Sequence, residues 1–350
     1  MSGSYHAAQV RSGGCCARNN GEQMNSKPRV TVIMSFLNPG RFIEEAVDSV
    51  FLQSYRNWEL LLIDDGSVDG SSDFARKCAD RNVERVRYIE HPGHDNRGIS
   101  ASHNVGIREA KGEFIAILDA DDVWLPEKLE LQTAILDSQP EAIMLYGKTY
   151  YWYGWNTQPG DGNRDHLIDS RIEPESLIKP PSLLVKFLKE ETPIPCPSDI
   201  LVRRRGAIDI GGFEESFHHI FTDQGFYSKL CLKWPVFVSD TNWSKYRKHP
   251  DSAVARIKKA GQLRESRQAY LTWLESYLDK QGVSDMQLRR ALKIAKLKCR
   301  YPGLHRFRQH VRYRALIANE LLRSAARQTL PGPVIRLLRE QSLNRVHRSN

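Results

Sequence analysis

Four apolar runs of strand length, each separated from the next by a helical pattern, decide what this chain can fold into. The first, "RVTVIMSF" (29–36), stops at the turn signal "NPG", and "WELLLIDDGS" (58–67), "VRYIEHP" (86–92) and "EFIAILDADD" (113–122) follow it. Between them, "RFIEEAVDSVFLQSY" sets Phe42, Ile43, Ala46, Val47, Val50 and Phe51 at helical spacing. "SSDFARKCADR" reads as a helix capped by Ser71 or Ser72, and "GISASHNVGIREAKG" as a helix closed by Gly112. Such alternation predicts an α/β chain with a Rossmann-like, mostly parallel central sheet and helices on both faces. Ligands of such sheets bind outside the carboxyl ends of the strands. Asn38, Asp64, Asp65 and the acids of 119–122 all fall at such ends. They are therefore expected to form one site, not a scatter of surface charges.

Downstream, "WLPEKLELQTAIL" reads as a helix with Pro126 near its first turn, and "IMLYGKTYYWYGW" as a strand and aromatic hairpin. Residues 156–182 are polar with Pro and Gly, which predicts an irregular segment. "SLLVKFLKE" is a short helix, and "SDILVRRRGAIDIGGF" a strand and short helix ending at a glycine turn. From about residue 256 the pattern is helical and basic, with 22 Lys and Arg against 6 Asp and Glu. That segment more than accounts for the net charge of +9 and suits an anionic surface, or simply a solvated face. Three regions are thus expected: a flexible tail over 1–27, an α/β domain over 28–255 and a basic helical extension over 256–350. The tail lacks an apolar core of the signal-peptide kind, and no apolar run approaches the roughly 20 residues of a membrane span. The six scattered cysteines, Cys15 and Cys16 adjacent among them, are expected to be free thiols.

The chemistry concentrates in "FIAILDADDVWLP" (114–126). Three carboxylates in four positions at a buried strand end repel one another unless a cation offsets them. Asp119 and Asp121, one residue apart, can approach a single hard ion such as Mg²⁺ or Mn²⁺, which typically completes its shell with phosphate oxygens. There is neither a Walker loop nor a GxGxxG pattern, so no glycine nest is available for phosphates.

The stretch from Val30 to Trp124 resembles a family 2 glycosyltransferase of GT-A fold. The resemblance rests on "VIMSFLN", "AVDSVFLQSYRNWELLLIDDGSVDGS", "NRGISASHNVGIREAKGEFIAILDADDVWLP", "GGFEESFHHIFTDQGF" and "YRKHPDS", which run in the family's order over roughly 29–255. It implies a metal-dependent, inverting transfer of sugar from a nucleoside-diphosphate donor to a saccharide or lipid-linked acceptor, in the setting of cell-surface polysaccharide. Asp119-Ala120-Asp121 matches the DxD motif: Asp121 would bind Mn²⁺ or Mg²⁺, and Asp119 would reach the ribose and the metal region. Asp64 or Asp65 would contact the base, with Asn38 in a similar role. Asp223 in "FTDQ" would be the general base, although Thr222 stands where the family usually has Glu. His249 in "YRKHP" would be a further metal or diphosphate contact, or else a structural histidine. The family's common tyrosine is replaced by Phe36-Leu37, which leaves base stacking to Phe36 or another residue. Arg97 could meet the diphosphate or simply be solvated.

The aromatic run near 145–156 could be an acceptor-sugar platform or core packing, and Trp124 is expected to pack. A cytoplasmic protein is expected, with peripheral contact at the inner face of the plasma membrane through amphipathic basic helices such as "LLRSAARQTLPGPVIRLLREQSL". Nucleic acid is not an expected partner. The competing reading is an inactive GT-A protein serving as a basic scaffold. A sugar-nucleotide pyrophosphorylase is disfavoured because no glycine-rich basic loop follows the first strand.

Overall fold

The structure is a computed structural model that describes residues 27–156, 160–217 and 220–302. In chain order it forms β1 (Val30–Phe36), α1 (Ile43–Phe51), β2 (Trp58–Asp64), α2 (Ser71–Arg81), β3 (Val86–Glu90), α3 (Ile99–Glu109) and β4 (Phe114–Ile117). Then come β5 (Val123–Trp124), α4 (Lys128–Ser138), β6 (Met144–Trp152), β7 (His166–Ile168), β8 (Ser176–Ile178), α5 (Ser182–Lys189), β9 (Leu201–Arg203) and α6 (Arg204–Asp209). The described chain closes with α7 (Thr222–Lys233), β10 (Val236–Arg247), α8 (Ala253–Lys259), α9 (Leu263–Lys280) and α10 (Met286–Arg300).

The strands build one sheet in the order β3-β2-β1-β4-β9-β6-β10-β5, with β7 added to β6 and β8 to β10. Its first four strands are parallel, as the alternating pattern predicts. The second half is mixed: β9 is antiparallel to both β4 and β6, β10 is parallel to β6, and β5, β7 and β8 are antiparallel additions. Parallel pairs require a crossover and leave a periodic trace, whereas three-residue antiparallel strands leave none.

Period-two alternation along β1 and β2 serves two helical layers. Val32, Met34, Leu60 and Leu62 join Ala46, Val47 and Val50 of α1 and Ala75 of α2 in one core cluster. Ile33 and Ile63 point the other way, onto α3, where a Cβ on Gly106 would lie 2.6 Å from Ile33 Cγ2 and 2.9 Å from Ile63 Cδ1. Glycine therefore sets how closely α3 lies on the sheet. Phe36 pairs with Asp64 and Ile33 with Ile117, so the carboxyl ends of the three central strands stay in step.

Two helix boundaries differ from expectation. Gly70, at φ 90°, precedes α2, and the Ser72 hydroxyl donates to Asp64 Oδ2 at 2.5 Å instead of capping its own helix. The chain also leaves α3 at Glu109, before Gly112. The tail over 1–27, apart from Lys27, and the basic segment 321–343 lie outside the described residues. A compact unit extends to Ala295, within which α9 packs on α7: the Tyr270 hydroxyl and Ser228 Oγ are 2.9 Å apart. Among the described residues no helix is long and apolar enough to cross a membrane.

Because the α3–sheet contact leaves no room for a methyl group, Gly106→Ala should lower unfolding free energy by about 1–3 kcal/mol in urea titration. The same substitution in an Ile33→Ala background should cost measurably less, since the two positions share one gap.

Candidate active site

The acidic turn after β4 is built around Asp122. Leu118 N still bonds Ile33 O at 3.0 Å, and the turn then closes with Asp122 N on Asp119 O at 3.0 Å. Asp122 is fully buried. Its Oδ1 accepts from Arg247 N at 2.9 Å, and its Oδ2 accepts from Ser198 Oγ at 2.6 Å and from Cys196 Sγ at 3.3 Å. Rather than merely starting the next turn, Asp122 ties the end of β4 to the end of β10.

Arg247 completes the tie. Its Nε donates to Asp121 O at 2.6 Å and its Nη2 to Glu45 Oε2 at 2.6 Å. The guanidinium lies against the rings of Trp152 at 4.5 Å, Phe42 at 4.9 Å and Trp155 at 5.3 Å. Much of the aromatic run near 145–156 thus wraps two cations, because Lys248 also sits over Tyr151 and Tyr246. Two residues after Arg247, His249 Nε2 comes within 2.9 Å of Asp121 Oδ2, while its Nδ1 is buried without a hydrogen-bond partner. The Asp121 side chain keeps 28 % exposure while that of His249 is 6 % exposed, so the carboxylate is the open member of the pair.

Burial raises Asp119 to about 8, helped by the charges of Asp121 and Asp223. Burial, followed by the charges of Asp121 and Asp119, also pushes Asp122 well up, against the hydrogen bonds from Ser198 and Arg247. The protein alone does not hold all these carboxyls ionised at neutral pH, and a cation would relieve the conflict. Asp223 stands in the first turn of α7, and burial raises it to about 6 against the Gln224 N–H, which donates to its Oδ1 at 2.8 Å. Its charge adds to the rise of Asp119 from a segment about a hundred residues downstream. Tyr227, one turn further along α7, has a buried hydroxyl with no partner.

Two groups of side chains could receive a metal. Asp119, Asp122 and Cys196 bring ligand atoms within 4.8 Å of one another. Both Asp122 oxygens are already engaged, however, and burial holds the Cys196 thiol well above its usual range, so no thiolate is on offer. The Asp121 carboxylate and the His249 imidazole fit better: one oxygen and one nitrogen converge at a partly open place, a donor set suited to Mn²⁺ or Mg²⁺.

The other sequence candidates gather at the ends of β1 and β2. Asp64, fully buried, accepts from Ser67 N at 2.8 Å, Ser72 Oγ at 2.5 Å and Tyr88 Oη at 2.9 Å, which locks the loop after β2. Asp65 accepts from Arg97 N at 2.8 Å and Gly98 N at 3.1 Å, and so fixes the start of α3. The Arg97 guanidinium itself is largely exposed, near Asp95. Asn38, at φ 50°, accepts from Val68 N at 2.7 Å and donates its own N–H to Ser67 Oγ at 3.0 Å. Phe36 departs from expectation: it is 2 % exposed within the hydrophobic core, so its ring offers no face to a base. Trp124 packs as expected, its Nε1 donating to Ser198 O at 2.9 Å. Sequence reasoning missed Arg247, Ser198 and Tyr227. Only Arg247 left a signal, an arginine two positions before His249 in "YRKHP".

Residues 31–211, just over half of the chain, match the family described as "Glycosyl transferase family 2". The chain belongs to this family. Bacillus subtilis EpsE, a putative glycosyltransferase, is 40 % identical over 114 residues, 33 % of this chain and 40 % of that protein. TuaG of the same organism, a putative teichuronic acid biosynthesis glycosyltransferase, is 37 % identical over 156 residues, 44 % of this chain and 56 % of its own. Escherichia coli WfgD, a UDP-Glc:alpha-D-GlcNAc-diphosphoundecaprenol beta-1,3-glucosyltransferase, is 33 % identical over 107 residues, 31 % of this chain and 40 % of its own. The matches therefore span 40 % to 56 % of these relatives' lengths. Among solved structures, Staphylococcus aureus TarS 1–349 in complex with UDP-GlcNAc superposes with a TM-score of 0.55 at 17 % identity, covering 79 % of this chain and 73 % of that one. The Pyrobaculum calidifontis mannosyltransferase PcManGT, in complex with GDP-Man and Mn²⁺, gives 0.52 at 19 % identity, covering 92 % and 81 %. These likenesses carry the GT-A fold of the family 2 chain.

Removing Arg247 strips a donor from Asp121 O, the partner from Glu45 and the filling from an aromatic cage. Arg247→Ala should therefore lower stability by about 2–4 kcal/mol in denaturant titration, and Arg247→Lys should recover only part of it.

Proposed function

We propose that this family 2 protein is a metal-dependent inverting glycosyltransferase. It would move a sugar from a nucleoside-diphosphate sugar to a saccharide or lipid-linked saccharide acceptor, in the assembly of cell-surface polysaccharide. The observation that carries the reading is the meeting of two distant segments. Asp223 acts on the charge balance of Asp119 from α7, while Asp121 and His249 converge at 2.9 Å from the acidic turn and the end of β10. The names of the relatives support the acceptor class.

Asp121 and His249 would hold the divalent cation, Mn²⁺ or Mg²⁺, which when bound supplies Lewis-acid stabilisation of the leaving diphosphate. Arg247 holds the turn that carries Asp121, so that ligand is in place before the donor arrives. The loop cluster of Asn38, Asp64, Asp65 and Arg97 would border the nucleoside. Asp223 takes the proton of the acceptor hydroxyl as its oxygen bonds the anomeric carbon. The bond from that carbon to the diphosphate oxygen breaks in the same displacement, its electron pair leaves with the diphosphate, and the anomeric centre inverts. With its carboxyl raised to about 6, Asp223 is still mostly ionised at neutral pH yet more basic than an exposed aspartate.

The test is diphosphate release from a panel of UDP-, GDP- and dTDP-sugars with Mn²⁺, in the presence and absence of soluble glycosides. Asp121→Ala should abolish the Mn²⁺-dependent turnover, and Asp223→Asn should lower kcat by roughly 10²–10⁴ with little change in donor KM. Activity needs the ionised base, so kcat should fall about tenfold per unit as pH drops below about 6, and Asp223→Asn should lose that limb. Turnover of no donor, or an Asp121→Ala variant as active as the parent, would sink the reading.

Peripheral contact of the basic segment from Arg256 with an anionic membrane belongs to the same proposal. In flotation with phosphatidylglycerol vesicles, the full chain should rise further than a chain ending at residue 302. Equal flotation would remove the segment beyond 302 from that role.

A further inference from the structure

Phe221 lies directly before α7 and two residues before Asp223. Its φ is 66°, in the left-handed region that a bulky side chain rarely adopts. Some packing or function must hold it there. Its ring lies nearly parallel to Tyr270 of α9, with centroids 5.6 Å apart and planes at 11°. Tyr270 is anchored, being 4 % exposed with its hydroxyl 2.9 Å from Ser228 Oγ. Behind it the stack continues to Trp273 at 6.4 Å and from there to Tyr277 at 5.2 Å, with Phe217 braced edge-on against Trp273 at 5.2 Å. Phe221 is thus the front member of an aromatic stack whose rear is fixed in the fold.

Burial does not account for this placement, because Phe221 remains only half-buried. Tyr270 stacks against the ring, and the residue keeps part of its surface exposed. A strained backbone at a partly exposed aromatic residue, two positions before Asp223, suits a contact surface better than a core.

We propose that Phe221 is the stacking platform for the acceptor sugar. The acceptor hydroxyl must come within hydrogen-bond reach of Asp223 to lose its proton. A pyranose placed there lies alongside Phe221, and its apolar C–H face matches an aromatic face, while its hydroxyls remain free for Asp223 and water. The occupant is therefore a neutral saccharide ring. The donor's charged diphosphate belongs with Asp121 and His249 instead. α9, which supports the ring, lies beyond the 31–211 region that matches the family.

This inference rests on Asp223 being the base, and the experiment separates the two claims. Diphosphate release is measured with the nucleotide-sugar panel and Mn²⁺, first into water alone and then with p-nitrophenyl glycosides of glucose, galactose, mannose and N-acetylglucosamine as acceptors. Failure of the parent to hydrolyse any donor overturns the functional reading itself, and the platform falls with it. Given hydrolysis, Phe221→Gly is the informative variant, because glycine accepts φ 66° without strain and removes only the ring. It should raise acceptor KM roughly fivefold or more and shift product from glycoside to water, leaving donor KM and hydrolysis rate unchanged. Phe221→Tyr should retain the parent's ratio of transfer to hydrolysis. An unchanged ratio in Phe221→Gly, an equal fall of hydrolysis and transfer, or a parent that no glycoside accelerates would each overturn the platform.

Discussion

The buried carboxylate of Asp122 is the constraint on which the site depends. A fully buried aspartate is tolerated only when its oxygens are satisfied, and here the satisfying groups arrive from two distant segments: Cys196 and Ser198 from one, the backbone N–H of Arg247 from the other. Once Asp122 is held, Arg247 is held too, and its side chain reaches Asp121 O, Glu45 and the aromatic cage of Phe42, Trp152 and Trp155. Two residues on, His249 can be nowhere but beside Asp121. The three aspartates of the turn thus differ in kind. One is structural, one faces open space, and one is poised between ionisation states by its neighbours.

The electrostatics explain why a chain keeps such a turn despite its cost. Without a cation, burial and mutual repulsion drive Asp119 up to about 8. Arg247 lowers the local negative potential but is committed to a carbonyl and to Glu45, so it neutralises no carboxylate of the turn directly. The site is left short of positive charge where the Asp121 side chain opens outward. A cation there would relieve that deficit.

The sequence made the first half of the fold legible because parallel strands joined by helices impose a regular period. β1, β2, β3 and β4 with their helices fall where apolar alternation puts them. In the second half β6 and β9 were legible as strands, but not their pairing: β9 runs antiparallel between β4 and β6, which no local pattern announces. At the site, the clustering of acids at strand ends followed from topology alone. The meeting of Asp121 and His249, 128 residues apart, could be expected only through family resemblance. Phe36 was misjudged because a strand-end aromatic looks the same in sequence whether it faces a ligand or the core. Asp64 and Asp65 look equivalent as letters, yet one closes its own loop while the other fixes the start of α3.

The reach of those contacts also governs when the site can exist. Asp122 waits for Arg247, 125 residues downstream, and Asp121 waits for His249. The region through residue 211 holds Cys196 and Ser198 but not Arg247, so by itself it leaves only Asp122 Oδ1 without its partner. The turn takes its final shape only after β10 has left the ribosome and threaded between β6 and β5. If Asp121 and His249 hold a cation as proposed, that pair exists only once β10 has been placed against β6 and β5.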